Sequence, residues 1–152
     1  MIVLRDVVES DLPVFFEHQR DELSVQMTGF PPRDKEAFEA HWKKILVNAN
    51  ISIKAILHNG QVAGQILCFE VEGEKEIGYW LGREFWGKGI ATEALKQFLE
   101  IITVRPLNAH IAKQNIGSRR VLEKCGFVIT GEEKWTPPTG TEEVEEFALR
   151  LE

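Results

Sequence analysis

Between Glu76 and Glu93 the chain reads EIGYWLGREFWGKGIATE, residue types that suit the binding of a polyphosphate. An apolar, aromatic run (Ile77, Tyr79, Trp80, Leu81) has the composition of a strand. After a glycine-bearing loop, Ile90, Ala94, Leu95, Phe98 and Leu99 recur at helical spacing. A strand, a glycine loop and a helix start together make an anion site. The first amides of a helix have no internal partner, and its dipole favours negative charge there. Gly87 and Gly89 carry no Cβ, so the backbone can come close to a bulky diphosphate. The expectation is a diphosphate-bearing cofactor held by this loop.

Two familiar phosphate loops fail on residues with a mechanical job. Gly82, Gly87 and Lys88 match a mononucleotide loop, but Gly89 stands where a magnesium-binding hydroxyl is needed. The dinucleotide fingerprint needs Gly or Ala where this chain has Thr92, and an acid about 20 residues on. No acid appears between Thr103 and His110.

Trp86-Gly87-Lys88-Gly89-Ile90-Ala91 resembles the (Gln/Arg)-x-x-Gly-x-(Gly/Ala) pyrophosphate loop of the GNAT superfamily of acyl-CoA-dependent N-acetyltransferases. The flanking GYWL and ATEAL are similar to the branch that includes the ribosomal-protein alanine N-acetyltransferases. Trp86 departs from the usual Gln or Arg. A second segment, Asn115 to Phe127, resembles the family's N-x-x-S-x-x-x-L-x-K-x-G-F pattern. The resemblance implies acetyl-CoA as co-substrate and an amine acceptor, either a protein N-terminus or a small molecule. It assigns Tyr79, Trp80, Leu81, Trp86, Gly87, Lys88, Gly89, Ile90, Ala91, Thr92 and Asn115 to the cofactor. By the same resemblance Ser118 donates a proton to the leaving thiolate, since Leu122 stands where many relatives place a tyrosine.

An alkyl-ammonium titrates near pH 10, so amine acylation calls for a general base or a water relay. Glu76 is the candidate base; its bland alternative is an exposed carboxylate beside Glu72 and Glu74. Ser118 and Asn115 also read as plain first-turn and capping residues of a helix. A non-catalytic CoA-binding sensor and a nucleotide-binding protein stay open as alternatives. His41, His110 and Cys125 read as structural, and no histidine–cysteine spacing suggests a metal site.

The elements that must position these residues follow from the pattern. Ile2–Val7 is a strand, Ser10 caps a helix bearing Leu12, Phe15 and Phe16, and Thr28–Pro32 is a break. Asp34–Val47 is a helix burying Phe38, Trp42, Ile45 and Leu46. Ile51–His58 and Gln61–Val71 flank an Asn59-Gly60 hairpin turn, and a turn at Glu72–Lys75 leads into the Glu76 strand. Ile90–Ile102 is a helix, Leu107–Lys113 a strand and Ile116–Lys124 a helix. Phe127–Thr130 is extended, Pro137-Pro138-Thr139-Gly140 a loop and Glu143–Leu151 a strand. This order predicts an α+β three-layer sandwich with a mixed, mostly antiparallel sheet. The Glu76 and Leu107 strands run parallel across a helical crossover, and the resemblance implies that they splay apart.

At 152 residues, with 43% hydrophobic and 28% charged content, the chain reads as one globular domain, 1–152. A net charge of −6 argues against nucleic acid as a general partner. Two well-separated cysteines, no signal-like start and no membrane-length apolar run lead to a cytoplasmic expectation. The oligomeric expectation is monomer or homodimer.

Overall fold

A computed structural model describes residues 1–138 and 140–152; Thr139, assigned above to a loop, lies outside the described residues. Among the described residues seven strands form one mixed sheet in the order β1-β2-β3-β4-β5-β7-β6. They are β1 (Ile2–Arg5), β2 (Ser52–His58), β3 (Gln61–Val71), β4 (Glu74–Leu81), β5 (Leu107–Ala112), β6 (Val128–Trp135) and β7 (Val144–Leu151). The helices are α1 (Leu12–Arg20), α2 (Glu22–Thr28), α3 (Lys35–Leu46), α4 (Ile90–Ile101) and α5 (Ile116–Lys124). Among the described residues no helix is long and apolar enough to cross a membrane.

Period-two alternation along the strands feeds two separate cores, one on each sheet face. On one side Ile66, Cys68, Ile77 and Leu107 meet Ile90, Ala94, Leu95 and Phe98 of α4 and Leu122 of α5. On the other, Ala55 meets Phe15 of α1 with Phe38 and Trp42 of α3. The result is the expected α+β three-layer arrangement.

Two local expectations need correction, and one stretch without a clear pattern holds a helix. Ser10 does not cap a helix: it lies within a short 3₁₀ turn, Glu9–Asp11, and α1 starts after Asp11. The buried Asp11 carboxylate accepts two bonds from the Arg5 guanidinium, at 2.7 and 2.9 Å, and one from the Val8 amide at 2.9 Å. The Asp21–Pro32 region holds an extra helix, α2, which Asp21 caps through the Ser24 amide and Gly29 ends at φ +73°. Leu46 is exposed, because it lies at the last turn of α3, past the edge of the aromatic core.

The parallel pair β4–β5 is the unusual joint. It pairs only at Lys75–Leu107 and Glu76–Asn108, and the strands then separate toward their C-terminal ends. The closed end is tied by polar contacts. Asn108 Nδ2 donates to Glu74 at 2.6 Å, and Arg150 of β7 donates to the same carboxylate at 3.1 Å. Just beyond the last paired residue, His110 Nδ1 lies 2.7 Å from Glu76 and its Nε2 2.9 Å from Glu133. The Glu76 hydrogen bond, reinforced by the charges of Glu76, Glu133 and Glu146 against burial, raises His110 to about 9.

Phe98 is fully buried beneath the sheet, so Phe98→Ala should cost about 3–5 kcal/mol in urea unfolding; a loss below 1 kcal/mol would contradict this packing. His110 in the fold lies above its ordinary 6.5, so the charged ring is the stabilising form. That contribution is complete below 6.5 and fades as pH climbs through 9. The wild-type Tm should therefore fall relative to His110→Gln across this interval, and parallel Tm–pH curves would refute the linkage.

Candidate functional site

Where β4 and β5 part, a cavity of about 370 Å³ opens at their C-terminal ends. Tyr79, Trp80 and Leu81 form its β4 wall, and the starts of α4 and α5 form its rim. Ser24, Met27 and Thr28 of α2 close one side. Beyond Glu76, the β5-facing edge of β4 has no ladder partner among the described residues. Main-chain groups of that edge are therefore left for a ligand, as in strand addition by a bound peptide.

The glycine loop takes the geometry that its sequence requires. Gly87 and Gly89 have φ values of +72° and +76°, and a Cβ built on either would meet open space. Positive φ, rather than crowding, is what calls for glycine at these positions. Gly89 occupies the N-cap of α4 without a side-chain cap, so the amides opening that helix stay available to an anion. At α5, Asn115 Oδ1 accepts the Ser118 amide at 3.2 Å, the cap that the sequence suggests.

Charge supports the same ligand class. Arg120 and Lys124, one helical turn apart on α5, line the cavity, and among its described lining residues there is no carboxylate. A chain of net charge −6 thus presents a cationic mouth at this opening. Diphosphate at the α4 start and a further phosphate near Arg120 or Lys124 would fit this distribution, so the residues present suit coenzyme A.

Of the sequence-predicted residues, Tyr79, Trp80, Leu81, Trp86, Gly87, Gly89, Ile90, Ala91, Thr92, Asn115 and Ser118 come together around this cavity. Lys88 and Glu76 do not line it. Lys88 Nζ instead sits 6.0 Å from the centre of the Phe85 ring. Trp86, in place of the usual Gln or Arg, donates its indole N–H to the Leu81 carbonyl at 3.0 Å, pinning the loop to the end of β4.

Sequence reading missed Arg120 and Lys124, whose i, i+4 spacing beside Ser118 was the available signal. It also missed the hydroxyl of Tyr79, the chain's only tyrosine. That hydroxyl faces α5, 3.5 Å from the Ser118 carbonyl, and burial lifts it to about 12. It therefore remains an O–H donor throughout the neutral range.

A second cavity, of about 240 Å³, lies against α1 and α3 and shares Tyr79 and Trp80 with the first. Both openings thus border the same two residues of β4. Trp80 is fixed there by an indole N–H bond to the His18 carbonyl at 3.3 Å. Gly82, next along, must be small, because an added Cβ would lie 2.6 Å from His18 Nε2. Among the described residues no group of three or more metal-ligating side chains assembles.

Residues 2–128 match the acetyltransferase (GNAT) domain. Over 104 residues the chain is 30% identical to the "Putative ribosomal N-acetyltransferase YdaF" of Bacillus subtilis (strain 168), covering 64% of this chain and 57% of that protein. Over 55 residues it is 40% identical to the "Probable N-acetyltransferase YjcK" of the same organism, covering 34% and 30%. The matched stretches thus span little more than half of these curated relatives, or less. Among solved structures, spermidine N-acetyltransferase from Vibrio cholerae, in complex with CoA and spermine, superposes with a TM-score of 0.83 at 16% identity, covering 99% of this chain and 94% of that one. Mycobacterium smegmatis RimJ in complex with CoA-disulfide gives 0.79 at 21% identity, covering 99% and 81%. At those identities the likeness speaks to the fold alone. With the family match running over most of its length, the chain belongs to the GNAT acetyltransferase domain family.

Proposed function

We propose that this protein moves an acetyl group from acetyl-CoA to a primary amine, by direct attack within a ternary complex. The observation that carries the reading is that two cavities, one with a cationic mouth and one against α1 and α3, border the same residues, Tyr79 and Trp80. An acyl carrier threaded through the splay would bring its thioester to those residues, and an amine in the second cavity would face it. Holding both reactants in this way replaces a bimolecular encounter with an oriented one.

The chain's own groups divide the work. Amides opening α4, with Arg120 and Lys124, hold the phosphates. The free edge of β4 aligns the pantetheine amides and offers a main-chain N–H to the oxyanion. Nitrogen attacks the carbonyl, a C–N bond forms and the C–S bond breaks. The ammonium loses two protons, one ending on the thiolate and one in solvent. Ser118 supplies the proton for sulfur, with the Tyr79 hydroxyl beside it as a second donor. Glu76 draws the other proton away through water, since it shares its strand face with Gly78 and Trp80 of the acceptor side. The likeness to a putative ribosomal N-acetyltransferase supports a protein N-terminus as one acceptor class; a small amine is the other. Free Cys68 and Cys125 support a cytoplasmic site of action.

Thiol release from acetyl-CoA with a panel of amines tests this reading; tight CoA binding without turnover on any of them would make the protein a sensor. Ser118→Ala should lower kcat by about 10²-fold at unchanged CoA affinity, and an unchanged kcat would remove Ser118 from the chemistry. Arg120→Ala should raise the Kd for CoA about 10-fold, the loss of one charge-assisted contact. Calorimetry reads this directly, and equal affinities would take Arg120 out of the phosphate site.

A further inference from the structure

The cavity against α1 and α3 has a chemistry of its own. Its walls are aromatic: Trp42 packs with ring centroids 5.1 Å from Phe15 and 5.9 Å from Phe38. Among the described lining side chains there is one permanent cation, Arg33, and no aspartate or glutamate. Among the described residues, the half-buried Arg33 guanidinium meets no carboxylate; it lies 5.2 Å from the centre of the Phe30 ring. Burial holds that guanidinium below its usual value, consistent with an uncompensated charge.

Arg33 is also held in place. The Gln19 side chain donates to the Arg33 carbonyl at 3.0 Å and accepts the Arg33 amide at 2.7 Å. A cation carried on a main chain held by two bonds, with no counter-ion among the described residues, is ready to receive an anion. Two further atoms point to a ligand. His18 Nδ1 and Gln65 Oε1 are buried without a hydrogen-bond partner among the described residues, and both residues line this cavity. Such groups are uncommon in folded proteins unless something outside the chain satisfies them. Burial holds His18 and His41 below their usual values, aided for His41 by the charges of Arg33 and Lys44. At neutral pH both are therefore uncharged polar groups.

We propose that the acceptor is a primary amine of amino-acid size carrying a carboxylate and an apolar or aromatic side chain. The carboxylate pairs with Arg33, the side chain lies on the Phe38–Trp42 rings, and the amine points to Trp80. This assignment rests on the acetyl-transfer reading above. The size follows from a volume of about 240 Å³, below the range of roughly 300 Å³ and upward usual for drug-sized ligands. A polyamine would bring a second cation beside Arg33 with no carboxylate to receive it, which the charge pattern disfavours. The transfer balances as before: acetyl passes from sulfur to the α-nitrogen, one ammonium proton ends on the thiolate, and one leaves to solvent.

Three acceptors differing in one charge test the assignment: L-phenylalanine, L-phenylalaninamide and spermidine, each with acetyl-CoA and a thiol readout. L-Phenylalanine should give the highest kcat/KM. Arg33→Gln should raise its KM by about 10-fold or more, leave the amide nearly unaffected and leave CoA binding intact. Arg33→Lys should recover part of the loss. Spermidine or the amide equalling L-phenylalanine, or Arg33→Gln weakening all three alike, overturns the proposal. Should no amine release thiol, calorimetry of L-phenylalanine on the CoA-saturated protein separates the two readings. Heat abolished by Arg33→Gln keeps the pocket and sinks the transferase, and no heat overturns the pocket itself.

Discussion

The site exists because two parallel strands stop pairing. β4 and β5 share a ladder at two positions and then diverge, leaving main-chain donors and acceptors that a continuous sheet would have consumed. A polar clamp holds the closed end: Glu74 with Asn108 and Arg150, and Glu76 with His110. The open end is lined by Tyr79, Trp80 and Leu81, with Gly78 between them and the clamp. Separating strands is costly wherever backbone groups are left unsatisfied. The gap is tenable because its free edge opens into a cavity rather than into apolar core.

Around that gap the fold distributes charge unevenly. The chain is acidic overall, yet Arg120 and Lys124 flank one opening and Arg33 lines the other, with no carboxylate among its described lining residues. Both openings therefore favour anionic groups. Such local fields act at short range, within about 8–10 Å at moderate ionic strength, so the net charge of the whole chain is a poor guide to either pocket.

Much of this was legible in the residues. The Asn59-Gly60 turn and the Asn115 cap each follow from one local rule, and each stands where that rule puts it. The order of elements was legible for the same reason, with α2 the exception. That short helix carries only Leu23, Val25 and Met27 as apolar side chains, and two prolines follow closely, so periodicity had little to work with. Most of the acceptor-side cavity was not legible. It joins Phe15, Arg33, Gln65 and Trp80 from four different elements or loops, and only long-range packing makes them neighbours. Glu76 shows the opposite limit: its place on the strand was predictable, but its engagement by His110, 34 residues on, was not.

Amide hydrogen exchange with and without CoA tests the strand-splay account most directly. Ligand seated in the gap should slow exchange along Ile77–Leu81 and at Ile90–Thr92, while the β1–β2 pair keeps its apo rates. Binding heat accompanied by unchanged exchange in those two segments, or protection confined to another face, would contradict it.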